Sequence, residues 1–361
     1  MSKPSLSVIC PTYNGALKLP GLIKCLSKNL ERSQVIVEII FVIDGSKDNS
    51  AQIIEKFAED FPLTAIICQN NKINLGASEA RNIGVTLSHS DTIAFIDDDC
   101  RPISTWMVDL IQSWKVFPKE MLGLGGVVKS YDPVTFNQKY CEASTPLRPY
   151  QLKNNNENLL KRLISYYSES INQKSYAEYF AGCNMTFRKS AFVEAGGFDP
   201  AMKWGGEDAF ICSQIRKKFG SNSLVIDPHL VMLHEFSMKF SGSIWRSYAY
   251  GRSSGRASRK NGTIPSFNPG PLLIFFLSLI VTATSVVFNK FIFSVANFFL
   301  ILLVEITLYI LFLLQKKIIV SDSRVHKFIY SLAFLLCETA NMGGFILGFL
   351  IPKKELVYKH V

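Results

Sequence analysis

The stretch Ile93-Ala94-Phe95-Ile96-Asp97-Asp98-Asp99 decides the fold. Apolar residues suited to a buried strand run directly into three consecutive carboxylates. In an open α/β sheet the carboxyl ends of the strands deliver their residues to the crevice where ligands bind. Three adjacent acids there repel one another and lose hydration, so something positive belongs in the crevice. A hard divalent cation held by oxygen ligands and shared with substrate phosphates meets that demand. The competing reading is a solvated acidic turn in which Asp98 or Asp99 caps the next helix.

Working outward, residues 92–96 are the fourth in a series of strands. Residues 5–10 are apolar with little alternation, as for a strand buried on both faces, and Pro11-Thr12-Tyr13-Asn14-Gly15 forms the loop after it. A helical pattern follows, then a strand over 35–43 ending in Asp44-Gly45-Ser46 and a helix over 48–61. A third strand over 64–68 and a helix over 77–87 lead into the acid-tipped strand. This alternation predicts an α/β, mostly parallel, doubly wound sheet. Every loop with unusual polar chemistry follows the carboxyl end of a strand.

Further on the pattern loosens. A loop or helix entry at 154–158 precedes a helical stretch to Ser170. Residues 179–187 resemble one strand, 207–219 have helical spacing, and 224–233 read as two short strands broken by Pro228. Long uncharged stretches begin after Pro269. Those over 271–288 and 292–314 are each long enough to span a bilayer, and 328–351 is a weaker candidate because it contains Glu338, Asn341 and Gly343-Gly344. It reads as a packed helix, a re-entrant hairpin or a third span. The division expected is a catalytic domain over 1–240, a basic membrane-proximal segment over 241–269 and a membrane region over 270–361.

Composition supports that division. The chain of 361 residues is 48% hydrophobic with 27 phenylalanines, an excess concentrated in the tail, and its formal charge is +10. Arg246, Arg252, Arg256, Arg259 and Lys260 precede the apolar runs, which suggests an anionic membrane surface. No nucleic-acid-binding signature competes, so no nucleic acid partner is expected. The cysteines stand singly with no Cys-x-x-Cys pair, as in a reducing compartment, and Met1-Ser2-Lys3-Pro4 leaves no room for a signal-peptide core before the first strand. The positive-inside rule puts the Arg-rich stretch, Lys316-Lys317 and Arg324 on the cytoplasmic side and Asn289-Lys290 on the far side.

Five pieces occur in order: Val8-Ile-Cys-Pro11-Thr12-Tyr13-Asn14, Val42-Ile-Asp44-Gly-Ser-Lys-Asp48, Asn74-Leu-Gly-Ala-Ser-Glu-Ala-Arg81-Asn82, Asp97-Asp98-Asp99 and Gly205-Gly206-Glu207-Asp208. Together they resemble the family 2 glycosyltransferases, nucleotide-sugar enzymes of GT-A fold, over residues 5–260. The resemblance implies a GT-A catalytic domain, a nucleotide-sugar donor and a divalent metal, Mn2+ or Mg2+. It assigns donor binding to Pro11, Thr12, Tyr13, Asp44, Arg81, Asp97 and Asp98. Asp97 and Asp99 match the family's Asp-x-Asp motif, with Asp99 as main metal ligand; Cys100 stands where many relatives carry another aspartate. Asp208, the second acid of its pair, corresponds to the general base, while Trp204, Gly206 and Glu207 border the acceptor.

The residues themselves agree with this. Asp44 at a strand end is placed to accept from a base N–H or ribose hydroxyl, or else to form the turn before Gly45. Arg81 opens a helix after a Gly-containing loop, where a guanidinium and helix N–H groups reach phosphate; a surface salt bridge is the alternative. Trp204 is either a wall for a sugar ring or a core residue. His234 is either a metal or pyrophosphate contact or a structural histidine. The function expected is a membrane-attached, metal-dependent, inverting, non-processive glycosyltransferase acting on a lipid-linked or surface-polysaccharide precursor. It is expected to be multi-pass in the cell membrane with its catalytic domain cytoplasmic. The Gln-x-x-Arg-Trp run of processive synthases is absent, Trp245-Arg246 reversing its last two residues. A polyprenyl-phosphate sugar synthase and a catalytically silent membrane scaffold of the same fold are the rivals, and a nucleotidyltransferase lacks its glycine-rich, lysine-bearing phosphate loop.

Overall fold

A computed structural model of the protein describes residues 5–33, 36–118, 120–152, 171, 173–202, 205–261, 299 and 324–351. The chain divides into two units, the first within Met1–Val134, Thr145–Lys153 and Ile171–Phe236, the second including Thr135–Ser144 and the described residues from Ser237 onward.

In the first unit β1 (Leu6–Thr12), β2 (Val37–Asp44), β3 (Ala65–Asn71) and β4 (Thr92–Phe95) form a parallel block in the order β3-β2-β1-β4. Side chains alternate across a strand, and in β1, β2 and β4 both faces are covered, while β3 at the sheet edge is only part-buried. Val8, Cys10, Ile39, Phe41 and Ile43 enter one core with residues of α1 (Leu19–Arg32), α2 (Ser50–Asp60) and α4 (Trp106–Val116). Ile9, Ile40, Val42, Ile93 and Phe95 enter the other, which α3 (Ala77–Leu87) lines with Ala80 and Val85. That two-sided burial is why these strands read as apolar runs.

The expected mostly parallel sheet holds only for this block. Beyond β4 the order continues β9-β6-β10-β8-β7, with β5 pairing β10. β9 (Met185–Arg188) is antiparallel to both β4 and β6 (Gly123–Ser130). β10 (Leu224–His234) is parallel to β6 but antiparallel to β5 (Cys100–Pro102) and β8 (Ser175–Tyr179), and β7 (Tyr150–Gln151) is antiparallel to β8. The sheet is mixed. The strand expected over 179–187 is two strands, separated by a turn closed by Asn184 N–H donating to Ala181 O at 3.0 Å. Asn184 is 2% exposed and its amide donates to the carbonyls of Val127 and Leu230, so it ties β6 to β10. The two strands expected over 224–233 are one strand, because the register shift between Ile226 and Val231 absorbs Pro228 without ending the ladder.

α6 (Lys189–Glu194) and α7 (Glu207–Phe219) complete this unit. In the second unit α5 (Phe136–Ser144), α8 (Phe240–Asn261) and α9 (Arg324–Leu350) are helical. Gly251 of α8 and Gly344 of α9 let the two backbones touch, since a Cβ on either would collide with a carbonyl of the other helix. Among the described residues no helix is long and apolar enough to cross a membrane. The expected spans over 271–288 and, but for residue 299, over 292–314, and the expected helix ending at Ser170, lie outside the described residues.

Phe95 anchors the acid-bearing segment. Its ring is fully buried, 5.0 Å from Phe198 and 5.5 Å from Phe192 between centroids. Phe95→Ala removes that aromatic contact two residues before Asp97 and is expected to cost about 3–5 kcal/mol, read as a lowered midpoint in chemical denaturation of the full chain. A loss under about 1 kcal/mol would mean that the cluster repacks without it.

Candidate active site

The carboxyl ends of the parallel strands carry the expected polar residues. Thr12 closes β1 and is buried, with Pro11 and Tyr13 half-buried beside it. The loops after β1 and β2 are knitted together: Asn14 N–H donates to Ser46 Oγ at 2.9 Å, Lys47 N–H to Asn14 Oδ1 at 3.0 Å, and Ala16 N–H to Asp48 Oδ2 at 2.9 Å. Asp44 ends β2, but its carboxylate is already engaged. Its oxygens accept from Leu75 N–H and Gly76 N–H, the latter at 2.7 Å, and from Asn71 Nδ2 at 3.1 Å. In this structure Asp44 pins the loop before α3, where an open acceptor for a base or ribose was expected.

Arg81 also sits differently from expectation. It lies inside α3 beyond the first turn, and the guanidinium is buried rather than open to a phosphate. One amino group donates to Asp97 Oδ1 at 2.6 Å and the other to Glu207 Oε1 at 2.8 Å. Burial disfavours the charged guanidinium, yet Asp97 and Glu207 hold its pKa above the ordinary arginine value. Nor is this a surface ion pair, since the Arg81 side chain is 5% exposed. Glu207, expected at the acceptor, is turned inward by the same bond and is buried.

The triplet divides its labour. Asp97 is held by Arg81. Asp98 is buried, its carboxyl pushed up to about 7 by loss of solvent, against the pull of Lys18. Burial would raise Asp99 as well, but His234 and Lys18 hold it well below the carboxylate range. His234 ends β10, and pairing of His234 with Cys100 in the β5 ladder brings its Nε2 to 3.1 Å from Asp99 Oδ1. Lys18 Nζ lies 3.3 Å from Asp98 Oδ1 and 3.1 Å from Asp99 Oδ2.

The glycines before α7 shape the last piece. Gly206 caps the helix in the left-handed region at φ 81°, a conformation that favours glycine. It aims Asp208 at the site with one oxygen accepting from Gly182 N–H at 3.1 Å and the other from Ala209 N–H at 2.7 Å. Asp208 is half-buried, and burial together with neighbouring Glu207 pushes its carboxyl up to about 7. Trp204 lies outside the described residues.

The donor set suits a divalent ion. One ligand atom each from Asp97, Cys183 and His234 lies within 4.8 Å of the others. Asp99 Oδ1 is buried against His234 Nε2, and His234 Nδ1 is buried and makes no hydrogen bond. The carboxylate oxygens are ligands of the kind that Mn2+ or Mg2+ takes, while the imidazole and the thiol are softer donors. Sequence reasoning missed Lys18 and Cys183. Lys18 reads as an ordinary residue at a helix entry, and Cys183 as one more thiol among apolar neighbours.

Comparison with known proteins adds to this geometry. The family described as Glycosyl transferase family 2 matches residues 7–194. An uncharacterized glycosyltransferase, YibD of Escherichia coli (strain K12), is 36% identical over 98 residues, which is 27% of each chain, so the chain spans well under two thirds of that relative. A glucosyl-dolichyl phosphate glucuronosyltransferase of Haloferax volcanii is 21% identical over 265 residues, 69% of this chain and 75% of that one. Among solved structures, mannosyltransferase PcManGT from Pyrobaculum calidifontis, in complex with GDP-Man and Mn2+, is similar in fold with a TM-score of 0.55 at 14% identity. That match covers 98% of this chain and 89% of the other.

Removing Arg81 strands the buried Glu207 and the half-buried Asp97. Arg81→Gln is expected to lower stability by about 3–5 kcal/mol, the scale for breaking a buried pair, against at most about 1 kcal/mol for an exposed one. Denaturation of the full chain measures it, and a change in the lower range would show that the guanidinium is dispensable.

Proposed function

The chain belongs to glycosyl transferase family 2, and on that premise we propose that it moves one sugar from a nucleoside-diphosphate donor to an acceptor hydroxyl with inversion, in a metal-dependent, non-processive reaction. The observation that carries this reading is Asp208. It is a half-buried carboxylate whose pKa is pushed up to about 7, fixed by two backbone N–H groups next to the acid triplet. A general base works best with a pKa near the operating pH. Asp208 takes the acceptor hydroxyl's proton as that oxygen bonds to the anomeric carbon. The bond from that carbon to the diphosphate oxygen breaks, and the diphosphate leaves with the electron pair.

Asp99, Asp97 and His234 are the residues that would hold the metal, which when bound would offset the charge developing on the diphosphate. The loops carrying Pro11, Thr12 and Tyr13, tied to the loop after β2, form the wall on which a nucleoside would rest. Asp44 acts there through its grip on the Asn71–Gly76 backbone. Glu207 positions Arg81, and Gly206 sets the angle of Asp208.

A lipid-linked acceptor is supported by the Haloferax relative, named for a dolichyl phosphate-linked glucose. The apolar runs over 271–288 and 292–314 and the arginines of α8 support a cytosolic catalytic unit attached to the membrane. In that arrangement the third apolar segment does not span. A surface-polysaccharide precursor is served by the same chemistry.

Asp208→Asn is expected to cut turnover by ~10²-fold or more, read as release of nucleoside diphosphate. Because the raised carboxyl must lose its proton to act, kcat/KM of the native chain should fall as pH drops below about 7. Severe damage from Glu207→Gln with a harmless Asp208→Asn would exchange the two roles, and a fully active Asp208→Asn would favour a polyprenyl-phosphate acceptor. For topology, reporter fusions at Ser321 and after Val361 should both report the cytoplasmic side; a Ser321 label on the far side would overturn the arrangement.

A further inference from the structure

The acid triplet already has a cation of its own. Lys18 N–H donates to Gly15 O at 2.9 Å, which anchors its backbone at the start of α1. Its side chain reaches Asp98 and Asp99 at 3.3 and 3.1 Å. Gly15 makes this approach possible, since a Cβ there would lie 2.7 Å from both Asp98 Oδ2 and Thr12 Cγ2.

The two arms of this contact differ in freedom. The Lys18 side chain is 46% exposed, while those of Asp98 and Asp99 are 10% and 19% exposed. The lysine side chain is therefore half open to solvent, whereas the carboxylates are mostly buried. Arg81 is the opposite case, buried and forked between two acids.

Asp99 places Oδ2 toward Lys18 and Oδ1 toward His234 Nε2. The His234 side chain is 7% exposed, so on this edge the partner of Asp99 is buried in place, whereas on the Lys18 side it is half open to solvent. An ion bound by Asp99 would meet the ammonium of Lys18 on the same carboxylate.

We propose that Lys18 is a displaceable counter-cation of the acid triplet: it neutralises Asp98 and Asp99 before the metal arrives, competes with the metal for them, and swings into solvent when the metal binds. The inference rests on the metal reading above and adds to it a residue outside the donor set. Lys18 is a positioning residue here. It sets the metal concentration at which the site fills.

The test uses the full chain stripped of metal and titrated with Mn2+ alone, free Mn2+ being followed by electron paramagnetic resonance. Lys18→Gln is expected to bind Mn2+ ~10-fold tighter, the scale of removing one unit charge from contact with the ion's ligands. Lys18→Arg, which keeps the charge, should stay within about twofold of the native chain. Lys18→Ala repeats the measurement without the stem, and circular dichroism checks that each variant is folded. Unchanged or weaker Mn2+ binding in folded Lys18→Gln and Lys18→Ala overturns the proposal. Asp99→Asn separates the two readings. Loss of Mn2+ binding in that variant, with Lys18→Gln tighter, supports both. Full Mn2+ binding in Asp99→Asn removes the metal from the triplet and overturns the role of Lys18 with it.

Discussion

One buried guanidinium holds the carboxyl edge of the sheet together. Arg81 rises from α3 and joins the acid segment after β4 to the first residue of α7. A charge with its side chain 5% exposed is costly unless paired, and a planar fork reaches two separate carboxylates where a lysine offers a single point charge. Phe198 lies against the guanidinium 5.8 Å away, so the same residue links the ionic layer to the aromatic core beneath. Remove the fork and neither Asp97 nor Glu207 has a reason to be where it is.

That tie separates acids which are neighbours in sequence. Glu207 is spent on Arg81, whereas Asp208, one residue on, keeps a half-buried carboxyl pushed up to about 7. In the triplet burial pushes Asp98 up to about 7, while His234 and Lys18 hold Asp99 well below the ordinary range despite its burial. Pairs of acids driven apart in this way are how one pocket carries both a proton acceptor and permanent anions at the same pH.

The parts of this arrangement visible in the sequence were those fixed by short-range pattern. Apolar runs capped by Asp44 and by Asp97-Asp98-Asp99 marked strand ends, and the Gly205-Gly206-Glu207-Asp208 turn marked a helix start. Partnerships across long sequence gaps were not visible. Nothing near Arg81 says that its partner is Glu207, and nothing near Asp99 names Lys18. Strand direction was hidden too, because nothing in Met185–Arg188 itself says that β9 runs antiparallel to both β4 and β6. Pro228 looked like a strand break because a proline lacks its N–H, and only the register shift opposite it shows why β10 continues.

The order of charges along the chain has a consequence for synthesis. Lys18 and Arg81 precede the triplet, whereas Glu207, Asp208 and His234 come more than a hundred residues later. At about 5–20 residues per second, the acids leave the ribosome on the order of ten seconds before their imidazole partner exists. During that interval both cations that touch the triplet are already made. The β-strands of the parallel block can therefore close around their acidic tips without waiting for the second half of the unit. The carboxylates of the triplet arrive on an edge that is already electrically settled.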